Sequence, residues 1–303
     1  MMKKNCKLSS FFLLCCFFFA SCGKEKYDMV KVKGGSLSKD FLEMIVDIDS
    51  EETALSAENG FSISVSDFYI SKFEVTQKLY QEVMSSELDA NPSPSYFHEN
   101  PAENEVQELR PVERLSWYDC LFFCNKLSER EGLEPVYIIE NIERYSKDKA
   151  IKRAVVSADY SKNGYRLPTC AEWMYAANGG LKTKVSGKYS GSEEISEVAW
   201  YVNNADGKTH QVGLKTPNEL GLYDMTGNVA EWCWDYVWSD TFENIEYSDY
   251  TGPDAERYRY IKGGCFIEES AGAEFPYEIY DGIGGIQGLR YYNTGFRIAR
   301  NAK

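Results

Sequence analysis

The sequence predicts one α+β domain of mixed short strands and three modest helices. Three observations carry this. Apolar residues alternate over short runs. Three stretches carry a helix cap followed by apolar residues at helical spacing. No tandem repeat, long linker or second hydrophobic segment divides the chain. With 43% hydrophobic and 15% aromatic residues in 303, there is ample material for a substantial core.

Taken in order, residues 29–33 alternate and predict a strand ending at Gly34 and Gly35. Residues 36–60 are acidic and irregular and predict a surface loop. Residues 61–75 alternate again and predict a strand or hairpin. Thr76 then caps a helix whose buried stripe is Tyr80, Val83 and Met84. Pro92, Pro94 and Pro101 mark a loop. Ser116 caps a second helix, with Asp119 in the positive first turn and Trp117, Cys120, Leu121, Cys124 and Leu127 inward; it ends near Gly132. Residues 136–139 and 154–157 predict strands, and the charged run between them a solvated tip. Thr169 with Glu172 makes a capping box for a third helix, closed by Gly179 and Gly180. Residues 260–266 predict a strand against tightly packed backbone, and residues 295–300 a short closing strand.

The N-terminus reads as a leader outside the fold. Lys3, Lys4 and Lys7 precede an apolar run, residues 11–19, too short for a comfortable spanning helix. Ala20 and Ser21 before Cys22 resemble a bacterial lipobox, although Phe19 stands where Leu is usual. The expected organisation is a signal peptide over 1–21, a tether over 22–28 starting at the lipidated Cys22, and one domain over 29–303. Export without lipid is the alternative. Either way the expected location is the cell envelope, periplasmic or surface-exposed.

The formal net charge is −14. Such a surface argues against nucleic acid and against electrostatic adhesion to anionic lipid. It suits a cation or a basic peptide, and an acidic surface also simply keeps a protein in solution. Cys120, Cys124, Cys170, Cys233 and Cys265 remain in the mature domain, an odd number. Cys120 and Cys124, four apart on a helix, are badly placed to bridge each other. No cysteine or histidine spacing for zinc is present. His98 and His210 are isolated, which argues against histidine-based catalysis or an iron site.

Residues 221–234 (GLYDMTGNVAEWCW) concentrate turn formers, acceptor oxygens and aromatics. Asp224, Asn228 and Glu231 supply oxygens, Gly227 permits a turn, and Trp232 and Trp234 alternate as on a strand with one buried face. This suits a hard cation such as Ca²⁺ or, more commonly for turns rich in Asp, Asn and Gly, a hairpin turn with solvated carboxylates. Trp232, Trp234, Tyr236, Trp238, Tyr291 and Tyr292 are either core or the wall of a ligand groove.

Several blocks stand in a familiar order: FYISKFEVTQ, RLSWYDCLFFCNKLS, GYRLPTCAEWMYAA, THQVGLKTPNELGLYDMTGNVAEW, YIKGGCF and NTGFRIAR. Together they resemble the formylglycine-generating enzyme (sulfatase-modifying factor) family over nearly the whole chain beyond residue 29. The resemblance implies a compact variant of the C-type-lectin-like fold, poor in regular secondary structure and bearing calcium. It places calcium ligands at Asp224 (where the family commonly has Asn) and Glu231 by their side chains, and at Gly227 and Val229 by their carbonyls. It implies copper-dependent oxidation of a substrate cysteine by two thiols that follow a Gly-Gly segment. Here those positions fall at Glu268 and near Ala273, and no cysteine follows Phe266. A carboxylate and a methyl group cannot form a two-coordinate Cu(I) site, so copper is not expected. Cys265 stands where the family has Ser; it is either a relocated reactive thiol or a small buried residue. The expected function is a lipid-anchored, calcium-stabilised binding module for an envelope protein, peptide or glycan. The alternative is an oxidase converting a substrate cysteine to formylglycine.

Overall fold

The computed structural model describes residues 26–37, 62–180, 188–237, 246–252, 258–269 and 285–302. Cys22, Trp238, Ala273 and most of the acidic loop expected over 36–60 lie outside them. Three short sheets and a hairpin enclose the core. Strands β1 (Met29–Val32), β4 (Phe68–Ser71) and β11 (Ala299–Asn301) form the first sheet, with β4 central and antiparallel to both neighbours. The second is β10 (Thr294–Gly295), β7 (Ala230–Tyr236) and β9 (Arg259–Lys262), with β7 central. The third is β2 (Gly35–Ser36), β3 (Ser62–Val65) and β8 (Glu246–Ser248). The hairpin pairs β5 (Tyr137–Arg144) with β6 (Ile151–Ala158), so its strands run well into the charged segment and leave only the tip as turn.

The three expected helices form where their caps put them. In α1 (Gln77–Met84) the Leu79 N–H donates to Thr76 Oγ1. In α2 (Trp117–Arg130) Ser116 and Asp119 close a reciprocal capping box, and in α3 (Cys170–Ala177) Thr169 and Glu172 do the same. A single further turn, α4 (Ile195–Val198), was not apparent from periodicity. α3 is buried along its whole length, so its apolar face is the entire helix.

Four expectations change. Residues 61–75 are not a hairpin: β3 and β4 are separate strands in different sheets. Residues 260–266 extend only as far as Lys262, because Gly263 and Gly264 take left-handed backbone angles. Residues 295–300 divide between β10 and β11. Finally, β7 buries both faces, since it is the middle strand of a sheet covered by α3 on one side and aromatic residues on the other. Trp232 and Trp234 therefore fill one packed surface, and Cys233 between them faces the other.

Two buried arginine–carboxylate pairs brace the core, one local and one between distant segments. Arg166 donates from Nη1 and Nη2 to Glu172, both at 2.6 Å, while Glu172 still caps Thr169. Arg297 clamps Glu231, as described below. The five cysteines among the described residues are all buried, and Cys120, Cys124, Cys233 and Cys265 are free thiols, so the odd thiol expected from counting does not stand alone. No helix among the described residues is long and apolar enough to cross a membrane.

Candidate functional site

The segment after β9 carries the thiol singled out by the sequence. Gly263 has φ 99°, and a Cβ there would sit 3.0 Å from the Trp173 ring and 3.3 Å from the Met225 carbonyl. This tight approach brings Cys265 into the core with no exposed surface. Asn293 Nδ2 donates to its sulfur at 3.4 Å, and Glu268 Oε1 lies 3.6 Å away to accept from it. Burial pushes the Cys265 thiol up to about 12. A neutral, enclosed thiol is a poor nucleophile and a poor metal ligand. Glu268, at the place implied for the first copper cysteine, is only partly buried and stands beside that sulfur.

Outside this thiol lies an aromatic wall. Phe266 packs edge-on against Phe97 at 5.1 Å, and Tyr292 approaches both. Tyr96 contacts Phe97 at 5.0 Å and Tyr292 at 6.0 Å. Tyr96 is 59% and Tyr292 45% exposed, while Phe266 beneath them is buried. The loop bearing Tyr96 is held from below. The Tyr96 and Phe97 N–H groups donate to the two oxygens of buried Glu113 at 3.0 and 2.9 Å. Gln77 and Gln107 donate to the Phe97 carbonyl, and Arg110 donates to that of Glu99. Desolvation raises Glu113 to about 7 against the pull of those two N–H groups.

Of the aromatics read as a possible groove, Tyr292 is exposed and Tyr291 partly so. Trp232 and Trp234 are core: Trp232 donates to the Leu115 carbonyl, and Trp234 stacks on Tyr137. Tyr236 is half-buried under the Arg259 guanidinium. The sequence reading missed Tyr96, Phe97 and Phe266. A clue was available in residues 91–101, where a Tyr-Phe pair sits in a proline-punctuated loop with no strand or helix to bury it.

The four residues assigned to calcium lie on one turn and the strand leaving it. Asp224 and Asn228 take left-handed angles, as does Gly227, where a Cβ would lie 2.3 Å from the Trp200 carbonyl. Asn228 accepts from the His210 N–H and donates to Glu74. Glu74 in turn accepts from the Val229 N–H at 3.0 Å. Asp224 Oδ2 accepts from Gly213 N–H at 2.7 Å, while Oδ1 is buried with no hydrogen-bond partner. Burial pushes Asp224 up to about 6; Glu74 lies well above the carboxylate range, from burial first and then from Asp224 and Glu231.

Glu231 is engaged differently. Arg297 Nε and Nη2 donate to its two oxygens, both at 2.7 Å, and Trp173 Nε1 adds a third bond at 2.8 Å. No three acidic, cysteine or histidine side chains meet in metal-ligating geometry among the described residues. Thus the orphaned Asp224 oxygen fits a cation, with the Gly227 and Val229 carbonyls as the other named donors. Glu231 instead serves the guanidinium. Glu74 and Arg297 were both missed from the sequence; an arginine between Phe296 and Ile298, in an apolar run, was the signal that a buried acid awaited it.

Short sheets, three capped helices and a buried Gly-Gly-Cys segment beside an aromatic wall define the formylglycine-generating-enzyme-type fold. The sulfatase-modifying factor enzyme 1-like domain profile matches residues 18–302, and the chain belongs to that family. It is 36% identical over 287 residues to Chaperone protein LppX of Paenibacillus barcinonensis, covering 87% of this chain and 88% of that protein. It is 31% identical over 153 residues to formylglycine-generating enzyme of Streptomyces coelicolor, about half of each chain. Among solved structures, Treponema denticola variable protein 1 superposes with a TM-score of 0.71 at 32% identity, covering 90% of this chain and 94% of that one.

Proposed function

We propose that this protein is a binding module on a sulfatase-modifying-factor scaffold, without formylglycine-generating activity. The observation that carries this reading is the pairing of Cys265 with Glu268. The thiol is buried and neutral, and a carboxylate occupies the place of the first copper ligand. The exposed Tyr96 and Tyr292 rings beside them supply the binding face. A role in holding another molecule also agrees with the name of the chaperone relative. Export, lipidation at Cys22 and attachment at the cell envelope complete the reading, together with calcium at Asp224, Gly227 and Val229. Bound calcium would screen buried carboxylates and fix the turn; the chain itself fixes the rest of the site.

The test is incubation with copper, oxygen and a sulfatase-type cysteine peptide, followed by mass spectrometry. The expected result is unmodified peptide. A formylglycine product that disappears in Cys265→Ser overturns the reading in favour of a protein-modifying oxidase. Metabolic labelling with a fatty acid, compared between wild type and Cys22→Ala, checks the anchor.

A further inference from the structure

We infer that the Tyr96–Tyr292 face binds a peptide segment presenting lysine or arginine side chains; this rests on the binding-module reading above. The two rings lie 6.0 Å apart at 58° and are among the most exposed large side chains of the domain. Among the described residues, neither hydroxyl has a hydrogen-bond partner and neither ring has a cation over it. Several aromatic faces of this domain hold a cation: Arg259 lies 3.9 Å from the Trp117 centroid and 3.3 Å from that of Tyr236, Lys215 lies 4.1 Å from Trp200, and buried Arg110 sits under Phe97 at 5.4 Å. The exposed pair presents the same kind of ring face to solvent.

Charge around the pair selects the ligand's sign. Residues 91–109 contain no lysine or arginine. Glu99, Glu103 and Glu108 in that segment are exposed and lack an ion-pair partner among the described residues. On the other flank, Arg290 is engaged by Asp148, and Arg114, whose N–H donates to the Tyr291 carbonyl, lies within the field of the same carboxylate. An acidic segment that carries one of the two exposed rings attracts a cationic chain and repels an anionic one. The surface is also preorganised. Glu113, Gln77, Gln107 and Arg110 fix the backbone of the Tyr96 loop, so little ordering remains to oppose binding.

The experiment titrates the full exported chain with four probes: a lysine-rich peptide, its arginine counterpart, a glutamate-rich peptide and an N-acetylglucosamine oligosaccharide. Both basic peptides should bind, more weakly at high salt, and the acidic peptide should not. Tyr96→Ala and Tyr292→Ala should each weaken basic-peptide binding about fivefold or more. Tyr96→Phe and Tyr292→Phe, which keep the rings, should bind nearly as wild type. Glu99→Gln should weaken binding, whereas Glu143→Gln on the distant exposed hairpin should not. Basic-peptide binding that persists unchanged in both alanine variants overturns the inference, because it would be general attraction to an acidic protein. Oligosaccharide binding that is lost in those variants, with no peptide binding, overturns the ligand class but leaves the binding face standing. Formylglycine formation in the assay above removes the binding-module reading itself.

Discussion

Arg297 and Glu231 meet through two hydrogen bonds of 2.7 Å with neither side chain exposed to solvent. The pair joins the end of the chain to the central strand β7. Arg297 also donates to the Ser71 and Tyr223 carbonyls, so one guanidinium ties together four segments. Arg297→Met strands a buried carboxylate and should cost roughly 3–5 kcal/mol in urea unfolding. Arg297→Met with Glu231→Leu should recover a large part of that loss, because both charges leave together. A double variant no more stable than the single one would show that the pair contributes by attraction and not by mutual neutralisation.

The local parts of this architecture were legible in the sequence. Ser116 with Asp119 and Thr169 with Glu172 announce their helices because capping acts over three residues, with no tertiary partner needed. Tight packing around Gly263 and Gly264 was legible too, but the end of the strand at Lys262, set by their left-handed angles beside Trp173, was not. Pairing between distant strands was not. Residues 61–75 alternate in the same way whether β3 and β4 pair with each other or with β2, β8, β1 and β11. The site divides along the same line. Cys265 and Glu268 were found by local order, whereas Glu74 reaches Val229 across 155 positions and Tyr96 reaches Tyr292 across nearly 200.

Calcium should raise the melting temperature if Asp224 and its neighbouring carbonyls hold the ion. Saturation at about 100 times the dissociation constant would add about 2.7 kcal/mol. Asp224→Ala should remove that response to calcium and to chelator. Arg297→Met frees Glu231 as a further oxygen donor, so this variant should depend on calcium more than wild type does. Calorimetric titration showing no heat with either protein, and no effect of chelator, would eliminate the metal.

Cys265 should resist a thiol reagent at pH 8 in the folded protein and react on unfolding in urea. Its pKa near 12 leaves almost no thiolate, and burial blocks access. Cys265→Ser keeps a donor for Glu268 and an acceptor for Asn293, and should change stability by less than about 1.5 kcal/mol. Cys265→Val leaves both partners unsatisfied and should cost about 1–3 kcal/mol. Rapid labelling in the native state would place this thiol in an open cleft.

Glu113 gives the Tyr96 loop a pH dependence. Its folded pKa of about 7 lies above that of an exposed carboxyl because burial penalises the charged form. The native state therefore binds this proton more tightly than the unfolded chain. The resulting stability is fully present below the ordinary carboxyl range and is lost as pH rises through about 7. A shift of this size corresponds to roughly 3 kcal/mol between the two limits. Glu113→Gln cannot titrate, and its amide would face one of the two N–H donors, so it should lose stability at all pH values while flattening the profile between pH 5 and 8. The difference between the two profiles isolates this one group. Carbon-13 NMR of labelled glutamate should find a carboxyl titrating near 7 that is absent in Glu113→Gln. A profile difference that is flat from pH 5 to 8, with every glutamate titrating in the usual range, would mean that the Tyr96 loop is anchored by a carboxylate that water still reaches.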